Sequence, residues 1–447
     1  MDRLLRLAAA TTVVAALAAP TAAHAAWTPP TTLDASTGAN ATAQGAFGGS
    51  VLTGWLDPAI SLAKRSGDGF TAPTPITAAD PFEKAWGAQL DAKGDAVVLT
   101  VRKHKPFQRI RATFVAADGT RSATRTISTT PRSSAGPELS VAPDGTAVAA
   151  WSWHDVAGWR AQAAIRRPGQ AAFDAPQTLS PPAPITGKVQ SRPILNVAAG
   201  DGGRATLTWQ FGGSEAIPES PLHVLTAGTD SKFGPDQALE GAGGYAGVGL
   251  AVGADGAVQV AYLDEHFSGH VTGSSLRVAQ GVAGAPLSEP AVLSSGGKGT
   301  SSGYQVAAAF SADGTATVAW AKPGDRYEEG GALEVFTRAS GAAFGAAQTL
   351  AQNAEGVSLA GGPGDSAALA WMIQTQHPKS VAYAVHASTR PQAGGPFSAG
   401  QTISDTSING LWPSVAMTPA GDAIAAWASN TDGSGGGRYT AAVHAAN

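Results

Sequence analysis

The chain has 447 residues, 14% charged and 43% hydrophobic, with 56 glycines, 29 prolines and no cysteine. This is too apolar for intrinsic disorder, and without cysteine neither a disulfide nor a thiolate metal site can form. A net charge of −4, with no basic run beyond pairs such as Arg166-Arg167, excludes an electrostatic surface for nucleic acid or anionic membrane.

Residues 1–25 read as a signal peptide. Arg3 and Arg6 form the basic start, residues 7–19 are an apolar run of 13, and Ala23-His24-Ala25 is a small-x-small cleavage site. Such a run is shorter than the roughly 20 residues a membrane span needs. No later segment is apolar and long enough to cross a membrane. The expectation is a monomer, secreted or placed in the cell envelope after cleavage near Ala25.

From there the chain repeats. Gly followed six positions later by Trp occurs at Gly49/Trp55, Gly145/Trp151, Gly203/Trp209, Gly314/Trp320 and Gly421/Trp427. Degenerate copies end at Thr100, Tyr262 and Trp371, so eight units run over about 39–79, 84–129, 136–180, 192–239, 245–295, 303–351, 354–404 and 410–447. Within a unit, a segment such as PELSVA leads through Asp-Gly into a second strand, TAVAAW. Asp-Gly between short apolar runs predicts a tight hairpin, because Gly takes positive φ without steric cost. A third strand follows a variable loop, and a fourth carries a bulky residue with Leu or Ile six positions on, as in FDAPQTL from Phe173.

The fourth-strand motif is displaced by one unit. WTPPTTL (27–33) precedes the first anchor, and the unit of Trp427 ends without a copy of its own. Four-stranded units in an open array would leave two bare sheet edges. The sequence therefore predicts an all-β fold, a single eight-bladed β-propeller of four-stranded blades over residues 26–447, closed by the N-terminal strand 27–33 completing the last blade. The alanine-rich second strands predict close packing on both faces, with each Trp filling the gap further out.

This pattern resembles the repeats of exported bacterial β-propellers in the sialidase-like group with BNR repeats, over essentially the whole mature chain. The Asp-box of those repeats, roughly S-x-D-x-G-x-x-W, is not intact here. In SADGTATVAW (311–320) Asp313 directly precedes Gly314, and Trp320 lies six residues beyond it. The resemblance implies sialidases with an arginine triad, a Tyr/Glu pair and an acidic residue. No such triad can be placed, so no catalytic residue is carried over.

Loops between second and third strands vary, and they gather histidine, aromatic and acidic residues. These loops include 103–108, 152–159, 210–221, 263–273, 321–331, 372–380 and 429–438. Variable loops on a rigid ring form the expected binding face. Its candidate residues are Trp153, His154, Asp155, Trp159, Glu215, Asp264, Glu265, His266, Tyr327, Glu328 and Glu329. Flat rings and carboxylates suit a carbohydrate, the rings as apolar platform and the acids as hydroxyl acceptors. No cofactor is expected. Asp264 and Glu265 could help bind Ca2+, but no EF-hand spacing is present, and GTSSG (299–303) sits in a Gly/Ser linker rather than at a nucleophile elbow.

The leading expectation is a secreted, non-catalytic propeller that binds a glycan or protein partner, with no role for nucleic acid. A glycoside hydrolase or lyase using carboxylates of the same face, and a structural or adhesive envelope domain, are the alternatives.

Overall fold

A computed structural model describes residues 26–34, 41–54, 59–77, 82–104, 107–130, 132–183, 185–186, 189–211, 221–241, 247–267, 271–296, 306–323, 330–377, 380–406, 409–430 and 438–444. The proposed signal peptide lies outside them. No described helix is long and apolar enough to cross a membrane.

The fold is all-β, built from antiparallel meanders, mostly four-stranded, consistent with a propeller. Ala41–Gln44, Ser50–Thr53, Ser61–Ser66 and Gly69–Phe70 form the first sheet, in which Thr74–Pro75 also pairs with Ser61–Ser66. Glu83–Leu90, Ala96–His104, Phe107–Val115 and Arg125–Thr126 form the second. Ser133–Val141, Ala147–His154, Trp159–Arg166 and Gln177–Thr178 form the third, and Pro193–Gly200, Arg204–Phe211, Leu222–Ala227 and Gln237–Leu239 the fourth. Val248–Val252, Ala257–Phe267, Val271–Val282 and Ala291–Ser295 follow.

The next two repeat units merge through one long strand, Gln348–Gly361. It ends the unit of Val306–Phe310, Ala316–Pro323 and Gly330–Arg338, then opens that of Ala367–His377, Ser380–Arg390 and Gln401–Thr402. The last sheet holds Asn409–Met417, Ala423–Asn430 and Arg438–His444, and its fourth strand is Thr31–Asp34, antiparallel to Arg438–His444.

The Asp-Gly pairs are hairpin turns. Gly145, Gly256 and Gly314 have φ of 91°, 88° and 85°, where a side chain would be strained. The preceding aspartate closes each turn: Asp144 Oδ1 accepts from the Thr146 N–H at 2.7 Å and Asp313 Oδ1 from the Thr315 N–H at 2.9 Å.

Packing joins one repeat unit to the next. Trp151, Trp209, Trp320, Trp371 and Trp427 are all at most 1% exposed, and Tyr262 takes the same place in its unit. Each apolar cluster draws on two consecutive units: Leu99 and Ile110 meet Ala149 and Trp151, and Val148 and Ala163 meet Leu207 and Trp209. The last unit meets the first in the same way, with Ile424, Ala426 and Ala441 against Ala41, Val51 and Ala63, and with Leu33 among them. Trp27 packs on the cluster of Val385, Ile403 and Trp427, as Phe397 does on that of Leu333 and Trp371. The displaced motif therefore occupies the place its sister copies occupy.

Side-chain clasps reinforce these junctions at two radii. Near the first strands, Gln44 accepts the Leu90 N–H (3.0 Å), Gln89 that of Val141 (2.8 Å) and Ser140 that of Ala199 (3.0 Å). Ser358 accepts the Val415 N–H (3.1 Å), and Ser414 that of Ala43 (3.2 Å). At the outer edge, the amide of Gln237 bonds both backbone groups of Leu287, and Gln348 does the same to Phe397. The glutamine of the FDAPQTL-type motif is thus a recurrent lock on its neighbour.

A buried arginine crosses one junction. Arg390 is 1% exposed and donates to Thr317 Oγ1, Thr337 Oγ1 and Ser311 Oγ of the preceding unit, and to the Asp365 carbonyl. Its guanidinium also lies 2.9 Å from Asp365 Oδ1. Removing it leaves a carboxylate and several hydroxyls without their donor. Arg390→Ala is expected to lower stability by about 3 kcal/mol in urea unfolding, and Arg390→Lys to recover less than half, because an ammonium lacks the planar fork.

Candidate functional site

The strands run further toward the variable loops than the apolar pattern indicates. Asp264, Glu265 and His266 lie in strand Ala257–Phe267, and Trp153 and His154 end strand Ala147–His154. Antiparallel pairing continues past the anchors through polar residues, as in Asp264↔Ser275 and His154↔Trp159. Phe211, expected in a loop, is the last residue of its strand, 8% exposed and edge-on to Trp209 at 5.1 Å.

In the third unit three candidates, His154, Asp155 and Trp159, come together, while Trp153 packs toward the preceding unit. The turn 155–158 is stapled by Asp155, which accepts the N–H groups of Ala157 (2.7 Å) and Gly158 (3.0 Å) and pairs with Arg160 Nε at 2.9 Å. Burial works to raise the Asp155 carboxyl, but these N–H groups and Arg160 together hold it below the usual range. His154 meets Trp159 edge-on at 5.0 Å, with the Arg192 guanidinium 5.9 Å from the same indole. Trp153 is half-buried against Leu99, Ile110 and Trp151. Trp159 leans on the neighbouring cluster of Leu195 and Trp209.

The fifth-unit candidates face inward. Asp264 is 2% exposed and paired with Arg277 Nε at 2.8 Å, while Glu265 is 6% exposed. Of His266 only the backbone is described. Glu215, Tyr327, Glu328 and Glu329 lie outside the described residues, so the structure does not join them to the third-unit patch. Among the described residues, no three His, Asp or Glu side chains gather as a metal ion requires.

The first strands contribute residues that the loop pattern does not reveal. Opposite Trp151, Trp371 and Trp427 the first strand carries two residues against one: Gly136-Pro137, Gly356-Val357 and Trp412-Pro413. A bulge of this kind lifts a residue out of the ladder and re-aims it. Gly136 and Gly356 have φ of 56° and 55°, and Trp412 takes the same left-handed conformation at 50°. For a non-glycine residue this costs about 1–2 kcal/mol, yet Trp412 is 44% exposed. The sequence signal lies in aligning LWPS with AGPE and EGVS across units.

Beyond the opposite ends of the first strands lies a cavity of about 510 Å3, lined by residues 45–46, 90–92, 141 and 143, 199–201, 252–254, 310–312, 361–363 and 417–419. One short segment comes from each repeat unit. Its carboxylates serve backbone: Asp91 Oδ1 accepts the N–H groups of Lys93 and Asp95, and Asp201 Oδ1 that of Asp144. Burial raises the Asp201 carboxyl, and the Asp144 charge adds to the effect against that hydrogen bond.

No protein-family model matches the chain, nor does any curated protein sequence. Among solved structures it is similar to the NanB sialidase of Streptococcus pneumoniae, at 9% identity over 89% of this chain and 83% of that one, with a TM-score of 0.40. It is also similar to a family PL25 ulvan lyase, at 9% identity over 79% and 92%, TM-score 0.43. Prolyl oligopeptidase B of Galerina marginata matches at 8% identity over 88% of this chain and 55% of that one, TM-score 0.45.

Glu138, just after the Gly136-Pro137 bulge, gives a measurable signature. Its side chain is exposed to solvent, yet the surrounding strands crowd its carboxyl, and that desolvation pushes it from 4.5 up to about 7. The folded state thus binds an extra proton between those values, so stability falls as pH rises from about 4.5 to about 7 and levels off above. Glu138→Gln is expected to flatten that slope and to stabilise the protein at pH 8 by less than ~1 kcal/mol, since the carboxyl is partly solvated. Thermal melts across pH 4 to 8 on the order of one unit apart check it.

Proposed function

We propose that this chain is an exported eight-bladed β-propeller, closed through its N-terminal strand, that binds an extracellular glycan at its loop-bearing end without catalysis. The closed ring is supported by the pairing of Thr31–Asp34 with Arg438–His444, by the cluster joining last unit to first, and by the cavity lined from every unit. Deleting residues 27–34 is expected to expose a sheet edge and part of two clusters, giving a self-associating product with a lower melting temperature. A monomer as heat-resistant as the parent overturns closure.

The observation that carries the binding reading is the third-unit patch: the His154–Trp159 pair, bordered by Arg192 and by the Asp155–Arg160 ion pair. An accessible indole beside fixed polar groups is the chemistry of a sugar platform. The non-catalytic reading is supported by three of the described acids at this end, whose carboxylates already serve the fold. Asp155 holds its turn, Asp264 pairs with Arg277, and Glu83 pairs with Arg111 at 2.5 Å.

A protein partner is the second reading, favoured by Phe82 and Val156, which are 66% and 85% exposed at this same end. A glycan array with the purified protein decides. Binding to one or more glycans is expected, weakened at least tenfold by Trp159→Ala or by the surface change Arg192→Ala. Release of free sugar from a bound glycan overturns the non-catalytic reading, and absence of binding to every glycan overturns the glycan reading.

A further inference from the structure

Trp412 holds a strained backbone position and stays exposed. Its backbone adopts the left-handed conformation that two sister units give to glycine. An added Cβ would meet nothing within 4 Å at Gly136, and at Gly356 it would meet only the flexible end of Met372, 2.4 Å away. In the third unit the position opens onto free space. The large indole of Trp412 carries backbone strain and stays 44% exposed, so it stabilises the fold neither by local conformation nor by full burial.

The neighbouring unit supplies polar partners at the same level. The Ser358 Oγ and Val415 N–H bond of 3.1 Å fixes the register of the two first strands. Three residues back along each lie Glu355 and Trp412. Tyr383 hydrogen-bonds the Glu355 carboxyl through its side chain, and its backbone N–H donates to Asn409 Oδ1 at 2.8 Å. Asn409 opens the strand that carries Trp412. Burial raises the half-buried Glu355 carboxyl, with the tyrosine hydrogen bond working against it. A carboxyl, a phenol and an amide offer the mixed donors and acceptors that a polyol satisfies.

We propose that Trp412, Glu355, Tyr383 and Asn409 form a saccharide subsite, the indole stacking on the apolar face of a pyranose ring while the polar groups bond its hydroxyls. This rests on the glycan-binding reading and places the contact between the last two units, apart from the third-unit patch.

The test exploits the sister glycines. Trp412→Gly and the parent are compared by affinity electrophoresis in gels holding laminarin, xylan, mannan or alginate, alongside thermal melts. Retardation of the parent by at least one polysaccharide is expected. It should weaken at least tenfold in Trp412→Gly while the melting temperature stays equal or rises, with Trp412→Phe intermediate. A fall in melting temperature with retardation intact assigns Trp412 a packing role and overturns the proposal. Retention by Trp412→Gly together with loss in Trp159→Ala overturns this subsite alone. No retardation of the parent in any gel overturns both the subsite and the reading on which it rests.

Discussion

The close approach of neighbouring sheets along their first strands is the constraint on which the structure rests. Backbone comes so near backbone that a Cβ at Gly361 would fall 2.0 Å from the Phe310 carbonyl oxygen, and one at Gly45 would fall 2.2 Å from that of Met417. The second strands beside them are covered on both faces, and in the third unit Ala147, Ala149 and Ala150 there are all fully buried. First-strand N–H groups that would otherwise be unsatisfied in this crowded region are met by a side chain from the preceding unit, such as Gln44, Gln89 or Ser140. The sheets diverge away from the first strands, and the tryptophans and the FDAPQTL-type aromatics fill the widening gap.

The packing solution and the candidate chemistry are linked through the bulges. Where the second strand presents Trp151, Trp371 or Trp427, the first strand carries an extra residue opposite it. Units with Trp209 or Trp320 pair directly, Leu195 against the one and Val306 against the other. The bulged units thus gain a residue outside the ladder. Two of them use it for glycine and one for tryptophan, which is how a repeated scaffold acquires one distinctive position.

Much of the scaffold was legible in the sequence. Asp144-Gly145 and its copies mark hairpin turns, the tryptophan anchors mark second strands, and Trp27 in WTPPTTL aligns with Phe397 and its sisters. The candidate site was legible only in part. His154, Asp155 and Trp159 do lie together, but Trp153 packs toward the preceding unit, and Asp264 and Glu265 are drawn inward because the ladder of their strand runs on past Tyr262. Phe211 failed as a loop residue for the same reason. An apolar pattern marks where a strand must be buried, not where its hydrogen bonds end.

The sequence by itself determined what local chemistry encodes: turns that need positive φ, small residues on strands covered from both sides, and a motif displaced to the N-terminus. Only the tertiary structure decided which polar groups meet. Arg390 reaches Ser311 across 79 residues, and Ser358 sets the register of Val415 across 57, bringing Glu355 level with Trp412. Such meetings depend on how one sheet is seated against the next, and no local pattern in either segment carries that alignment.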